Sequence, residues 1–164
     1  MIRLSNYMPK SGDPSSEDLI ASIGAAVMRW QDAAALYDEE VGARLGLSLT
    51  ERQCLACLTR GPRPAREIAE ATRLTRAAIT TLVDRLEERG LVRRTPDTAD
   101  RRQVLVSITP KARRQTAQYY GPIAAAGAVF LAGFSRAELA AIRKFVDGAL
   151  ELQQGQIARL ERDR

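Results

Sequence analysis

Hydrophobic residues recur at helical spacing over most of this 164-residue chain. After Ser15, which is placed to cap a helix, apolar side chains return at alternating steps of four and three up to Gly46, predicting one long amphipathic helix. Its stripe consists of Ile23, Val27, Trp30, Ala34, Tyr37 and Val41. A capping box at Ser135 begins a second long stripe, from Leu139 to Leu160. The pattern therefore predicts long amphipathic helices near both ends.

Three short helices are predicted between the long ones. Thr50 caps the first in a capping box with Gln53, and Gly61 ends it. Pro62 and Pro64 exclude helix before the second, which covers residues 65–71. The third is capped by Thr75 and ends at Gly90. Four of its apolar side chains are predicted to face the core: Ile79, Leu82, Val83 and Leu86. Two short helices joined by a tight turn at residues 72–74 indicate a helix-turn-helix.

The spacing then changes to the period of two expected of strands. An extended run begins at Val92, residues 96–100 are turn-rich, and Val104, Val106 and Ile108 alternate with their neighbours, which predicts a hairpin. Thr109 and Pro110 then begin a helix that we predict to be interrupted near Gly121 and Pro122 and to continue to Leu131. The predicted fold class is mainly α (α+β), a winged helix-turn-helix lobe plus an all-helical dimerisation region formed by the N- and C-terminal helices.

The predicted organisation has four parts. They are a mobile arm over residues 1–14, an N-terminal dimerisation helix over 15–47, the winged helix-turn-helix lobe over 48–109 and C-terminal dimerisation helices over 110–164. The longest apolar stretch, Ile123–Phe134, is shorter than the roughly 20 residues that span a bilayer, and the N-terminus lacks a secretory signal. With two cysteines, the chain is expected to be cytoplasmic.

The net charge of +5 is unevenly distributed. Between Arg60 and Arg114 there are 14 basic and 7 acidic residues, whereas the remainder carries 11 basic and 13 acidic residues. Such an excess in one region favours a polyanionic partner, here double-stranded DNA, over a solvated basic surface that serves solubility.

Helical geometry identifies the residues of the predicted reading helix that face DNA. Because Asp84, Glu87 and Glu88 would repel phosphates, only the first two turns are expected in the major groove. The candidates for base contacts are Arg76, Ala77, Thr80 and Thr81. Those for phosphate contacts are Thr75, Arg85 and Arg94. At the hairpin tip, Arg101 and Arg102 suit a minor groove, and Asp100 is expected to pair with a neighbouring arginine.

Several segments together resemble the MarR family of bacterial transcriptional regulators. They are residues 49–53 (LTERQ), 74–87 (LTRAAITTLVDRLE), 90–92 (GLV), 100–102 (DRR) and 106–109 (VSIT). The resemblance implies a homodimer whose two lobes read successive major grooves of a pseudo-palindrome, with Arg102 in the minor groove and Asp100 bracing the wing. It also implies release from DNA by a small aromatic or anionic effector. Because the chain has no histidine, and no cysteine near the start of its first helix, metal sensing and peroxide sensing are disfavoured. No cofactor or metal site is expected.

Several alternatives stay open at this stage. Cys54 and Cys57 are interpreted as small hydrophobic residues in a helix, or as a thiol-based redox switch. Trp30, Tyr37, Tyr119 and Tyr120 either line an effector cleft or belong to the core. The long stripes pack within one monomer or between two. The function is a ligand-responsive repressor, or a winged-helix protein acting through protein contacts or non-specific DNA binding. A cysteine enzyme is disfavoured because the chain offers no histidine as a base.

Overall fold

The computed structural model describes residues 14–98, 100 and 103–163. Within these ranges the chain is mainly helical with one small antiparallel sheet, as predicted. The order of elements is α1 (Ser16–Leu45), α2 (Leu49–Leu58), β1 (Arg63–Pro64), α3 (Ala65–Thr72), α4 (Arg76–Glu88), β2 (Val92–Pro96), β3 (Val104–Ile108), α5 (Pro110–Leu131) and α6 (Arg136–Arg162). The predicted arm lies outside the described residues except for Pro14.

Both predicted ends of α1 are confirmed. The Ser15 side chain accepts a hydrogen bond from the Asp18 amide, and the Asp18 carboxylate accepts one from the Ser15 amide, which completes a capping box. At the other end Gly46 adopts a left-handed conformation with φ of 60°, which glycine tolerates without steric cost. Near this end Gly42 lies under the side chain of Arg52, which donates to the Asp38 carbonyl and ties α1 to α2.

The predicted cap of α2 is wrong by two residues. Ser48, not Thr50, caps the helix, and Glu51, not Gln53, reaches back to the cap amide at 2.7 Å. Both pairs have capping-box spacing, but the charged Glu51 carboxylate is the stronger acceptor and suits the positive helix end. The helix also ends at Leu58, before the predicted Gly61, which has a positive φ of 138°.

The core of the first compact unit joins the three short helices to the sheet. This unit ends at Ala112. The four predicted inward residues of α4 are buried, together with Leu58 of α2, Ile68 of α3 and Val92, Val106 and Ile108 of the strands. Burying each such side chain contributes about 1.5–3 kcal/mol. The packing therefore fixes which face of α4 remains in solvent.

The sheet has the strand order β1-β3-β2. The predicted hairpin is confirmed, with Val92 opposite Ile108 and Pro96 opposite Val104. Strand β1 was not predicted, because a two-residue strand that ends in proline gives no alternating pattern. Arg63 pairs with Val106 and Pro64 with Leu105, so β1 occupies an edge where the missing proline amide is tolerated.

The second compact unit begins at Arg113 and contains most of α5 and all of α6. The predicted interruption of α5 is wrong, since the helix runs unbroken from Pro110 to Leu131 with Pro122 inside it. A proline removes one intrahelical hydrogen bond, and the helical residues on both sides maintain the turn. Helix α6 begins at the predicted capping box of Ser135 and Glu138. Hydrogen bonds from Ser135 lower the pKa of the Glu138 carboxyl.

Among the described residues, no helix has the length and apolar character needed to span a membrane.

Candidate nucleic-acid interface

The N-terminal end of α4 is open to solvent. Thr75 caps the helix, and its hydroxyl accepts from the Ala78 amide at 3.2 Å. The amides of Arg76 and Ala77, in the first turn, have no acceptor within the helix. This end therefore combines exposed N–H groups with the positive end of the helix dipole, which suits a phosphate.

The four residues expected to contact bases share the exposed face of α4. Arg76, Ala77, Thr80 and Thr81 are all exposed, opposite the buried stripe. The Thr80 hydroxyl donates to the Arg76 carbonyl at 3.0 Å and the Thr81 hydroxyl to the Ala77 carbonyl at 3.3 Å. Because their protons point into the helix, the two threonines offer an oxygen acceptor and a methyl group to an approaching base edge.

The two arginines of α4 are available for DNA. Among the described residues, neither Arg76 nor Arg85 is paired with a carboxylate, and both are exposed. Arg76 lies in the first turn with the candidate base contacts, whereas Arg85 lies in the last.

Arg94 was predicted to contact phosphate, but its side chain is bound to two carboxylates of α4. Its guanidinium donates to Glu87 at 2.5 Å and to Asp84 at 2.6 Å, and its backbone amide donates to Glu87 at 2.9 Å. Burial lowers the pKa of Arg94, but the hydrogen bonds that its guanidinium donates to the Asp84 and Glu87 carboxylates, together with their negative charge, outweigh burial, so the pKa is raised overall. A guanidinium with two anionic partners is a poor candidate for a phosphate contact, and we assign Arg94 to the joint between β2 and α4.

The hairpin tip is described only in part. Arg101 and Arg102, predicted for the minor groove, lie outside the described residues. Asp100 accepts from Gln103, through its carbonyl at 2.8 Å and its carboxylate at 3.1 Å. The Asp97 amide in turn donates to the Gln103 carbonyl at 2.9 Å. Asp100 is thus hydrogen-bonded twice to Gln103, and its expected pairing with an arginine stays a prediction.

A polar cluster that sequence reasoning missed anchors the far end of α4. The side chain of Glu51 is almost fully buried and accepts from Arg89 at 3.3 Å, while Arg89 also donates to the Leu45 carbonyl at 3.0 Å. Lys111 donates to the Arg89 carbonyl at 2.8 Å. The end of α1, the start of α2, the end of α4 and the start of α5 meet here. The one sequence feature that could have pointed to Glu51 was its capping-box spacing from Ser48.

The cysteines do not form a reactive pair. Both are free, and Cys54 is fully buried in the core beside Leu55 and Leu58. Burial raises the pKa of the Cys54 thiol to about 12, with Cys57 and Glu51 acting in the same direction. Since the thiolate is the reactive form, Cys54 is chemically inert at neutral pH. The described residues also contain no group of three His, Cys, Asp or Glu that could hold a metal ion.

The aromatic residues proposed for an effector cleft are divided between the two units. Trp30 and Tyr37 lie on α1, with Trp30 64% exposed, while Tyr119 and Tyr120 are half-buried on α5. A shared role in ligand binding stays a prediction.

Comparison with known proteins agrees with this architecture. Residues 45–103 match the model of the MarR family. The uncharacterized HTH-type transcriptional regulator YcgE of Bacillus subtilis is 28% identical over 127 residues, which cover 77% of this chain and 82% of YcgE. The HTH-type transcriptional repressor NicR of Pseudomonas putida is 29% identical over 110 residues, which cover 62% and 70% of the two chains.

Solved structures share the fold. A MarR family protein from Bacillus stearothermophilus superposes with a TM-score of 0.63 at 19% identity, covering 86% of this chain and 99% of that one. A MarR-like transcriptional regulator from Thermotoga maritima gives a TM-score of 0.57 at 25% identity, covering 87% and 99%.

Helix-turn-helix, wing and basic surface together define a winged helix-turn-helix protein that binds double-stranded DNA. Residues 45–103 match the MarR family, whose members are DNA-binding transcriptional regulators and not enzymes, and the chain is similar to such regulators.

Proposed function

We propose that this regulator is a repressor that binds a pseudo-palindromic operator as a homodimer, with the first two turns of α4 in the major groove. The observation that carries the proposal is the exposed face of Arg76, Ala77, Thr80 and Thr81, in which the arginine has no carboxylate partner among the described residues. Arg76 is suited to a bidentate contact with guanine. The similarity to NicR supports repression as the outcome.

The proposed homodimer is supported by the apolar side chains that this chain leaves in water. Of the 30 residues of α1, only Val41 and Gly42 are buried, and α6 buries none. Large side chains are exposed on α1, α5 and α6, among them Ile20, Trp30, Phe130, Val146, Leu150 and Leu152. Monomeric proteins rarely expose large apolar patches, so faces of this kind favour a partner. A second copy, with the same stripes, is the occupant that we propose.

Two lobes joined in this way would read half-sites about 34–36 Å apart, one helical turn of DNA. Thr75, through its end of α4, and Arg85 are proposed to contact phosphate. Arg102 and Arg101 are proposed for the minor groove, because of their predicted place at the hairpin tip and because of the resemblance in sequence. A small aromatic or anionic effector would release DNA by favouring a lobe spacing that does not fit the half-sites.

Competition binding tests the proposal. Fluorescence anisotropy compares a duplex from the region upstream of the gene with a scrambled duplex of the same length at moderate salt. We expect clear preference for the upstream duplex. Arg76→Ala should weaken that binding by about 1–3 kcal/mol, the usual contribution of a bidentate base contact, without changing the thermal midpoint.

Arg136→Ala is the matched control, because it removes one exposed arginine from α6, a helix that does not belong to the winged helix-turn-helix lobe. It should leave the preference unchanged. Equal affinity of wild type for both duplexes would contradict operator recognition and favour non-specific DNA binding. If Arg76→Ala and Arg136→Ala weakened binding to the upstream duplex equally, Arg76 would not be a base-contacting residue.

A further inference from the structure

The joint between the wing and α4 holds a charge arrangement that the proposed function does not use. One residue of β2, Arg94, makes three hydrogen bonds to two carboxylates of α4, all between 2.5 and 2.9 Å. Two come from the guanidinium and one from the backbone amide, so both the charge and the strand position are fixed against the helix. The side chains stay partly exposed, Arg94 at 31%, Glu87 at 38% and Asp84 at 51%.

The carboxylates are a liability for a helix that approaches DNA. Helix α4 contains two arginines and three acids, a net charge of −1. Asp84 lies on its exposed side, one turn beyond Thr80 and Thr81. An unpaired carboxylate there repels the phosphates that flank the groove. Arg94 brings the net charge of the helix and its partner strand residue to zero.

We infer that Arg94 is a positioning residue for DNA binding, which neutralises Asp84 and Glu87 and holds the wing against α4 without contacting phosphate itself. The inference rests on the proposed entry of α4 into the groove. It explains how a reading helix can end in acids and still bind a polyanion. It also predicts that the cost of losing Arg94 depends on the two acids.

A neighbouring arginine supplies the control. Arg93 lies one residue earlier on β2, and its guanidinium donates to the Ser107 hydroxyl at 3.2 Å. Within the described ranges it pairs with no carboxylate. Arg93→Met therefore removes the same charge from the same strand while leaving Asp84 and Glu87 paired with Arg94.

A mutant cycle distinguishes an arginine that neutralises the α4 carboxylates from one that contacts phosphate directly. The affinity of Arg94→Met is measured in the wild-type background and in the Asp84→Asn, Glu87→Gln background, by anisotropy on the duplex that the wild type binds best. Two carboxylates left uncompensated near phosphates should weaken binding on the order of tenfold in the first background. In the second the same substitution should cost less than about twofold, since nothing remains to neutralise. Arg94→Lys, which keeps a charge but lacks the planar fork, should fall between.

The outcomes are distinct. An equal or larger cost of Arg94→Met in the neutral background would show a direct phosphate contact and overturn the inference. A cost of Arg93→Met that also disappears in that background would reduce the effect to net charge, and would overturn it too. Wild-type protein that does not prefer the upstream duplex to a scrambled one contradicts the proposed function alone, because the cycle can be run on either duplex. Circular dichroism confirms that each variant is folded.

Discussion

Cys54 packs in the core with Leu58, Ile68 and Ile79, where its thiol has no exposure to solvent. Its pKa of about 12 means that the folded protein keeps the proton that the unfolded chain, with an ordinary value of 9.0, releases. Stability from this difference is fully present below pH 9 and is lost as the pH rises from 9 toward 12. The residue is thus a packing group with a measurable titration.

Comparison with Cys54→Ala isolates this effect. At pH 8 the wild type should exceed the variant in free energy of unfolding, because alanine leaves a small cavity. At pH 10 that excess should shrink by about 1.4 kcal/mol, because pH 10 lies one unit above the pKa of the unfolded thiol while the folded thiol keeps its proton. Urea titrations at both pH values give the difference, in which other titrating groups cancel. A constant difference would show that the buried thiol is not held protonated.

At the scale of single residues, the sequence predicts exposure better than pairing. The outward positions of α4 could be predicted because the buried stripe fixes the helix rotation. The partners of Arg94 could not be predicted, since the pairing requires β2 to lie against the C-terminal part of α4, which depends on tertiary packing. Arg76 and Arg94 therefore look alike in the sequence, although only Arg94 is neutralised.

At the scale of elements, local signals decided where helices begin. The caps at Ser15, Thr75 and Ser135 were predictable, because a hydroxyl residue before an apolar stripe satisfies amides within the same turn. Two cap patterns overlapped at α2, and only the structure shows that Glu51 also meets Arg89. Strand β1 is defined by its pairing with β3, which is distant in the sequence, so the local residue pattern could not predict it.

The cluster around Glu51 should stabilise the junction of α1, α2 and α4. Glu51→Gln removes the charge of a carboxylate that is itself nearly buried and leaves Arg89 without its anionic partner, so we expect a loss of about 1–3 kcal/mol in unfolding free energy. Glu67→Gln is the matched control, because its pair with Arg63 is more exposed and its loss should stay within about 0.5 kcal/mol. Denaturant titration measures both. Equal losses would show that the cluster contributes no more than a surface pair.

At the scale of the complete chain, the apolar faces of α1, α5 and α6 that stay exposed are the surfaces proposed to form the dimer. The stripes were predictable from the sequence, but their alternative, packing within one monomer, could only be examined in the structure. There, α6 buries no residue, and α1 buries only two near its end. Two copies that cover these faces would place two reading helices on one side of a duplex.

The most direct test is sedimentation velocity of the protein, with and without a labelled upstream duplex. The wild type is compared with variants in which a glutamate is introduced on α6. Val146→Glu should dissociate the dimer at micromolar concentration and weaken DNA binding with it. Ala140→Glu, six residues earlier and about 120° around the helix, adds the same charge on the polar face of Lys144 and Glu151 and should change neither. We predict that wild type and Ala140→Glu sediment as dimers and bind two chains per duplex. A wild-type monomer, or a monomeric Val146→Glu with undiminished affinity, would contradict the account.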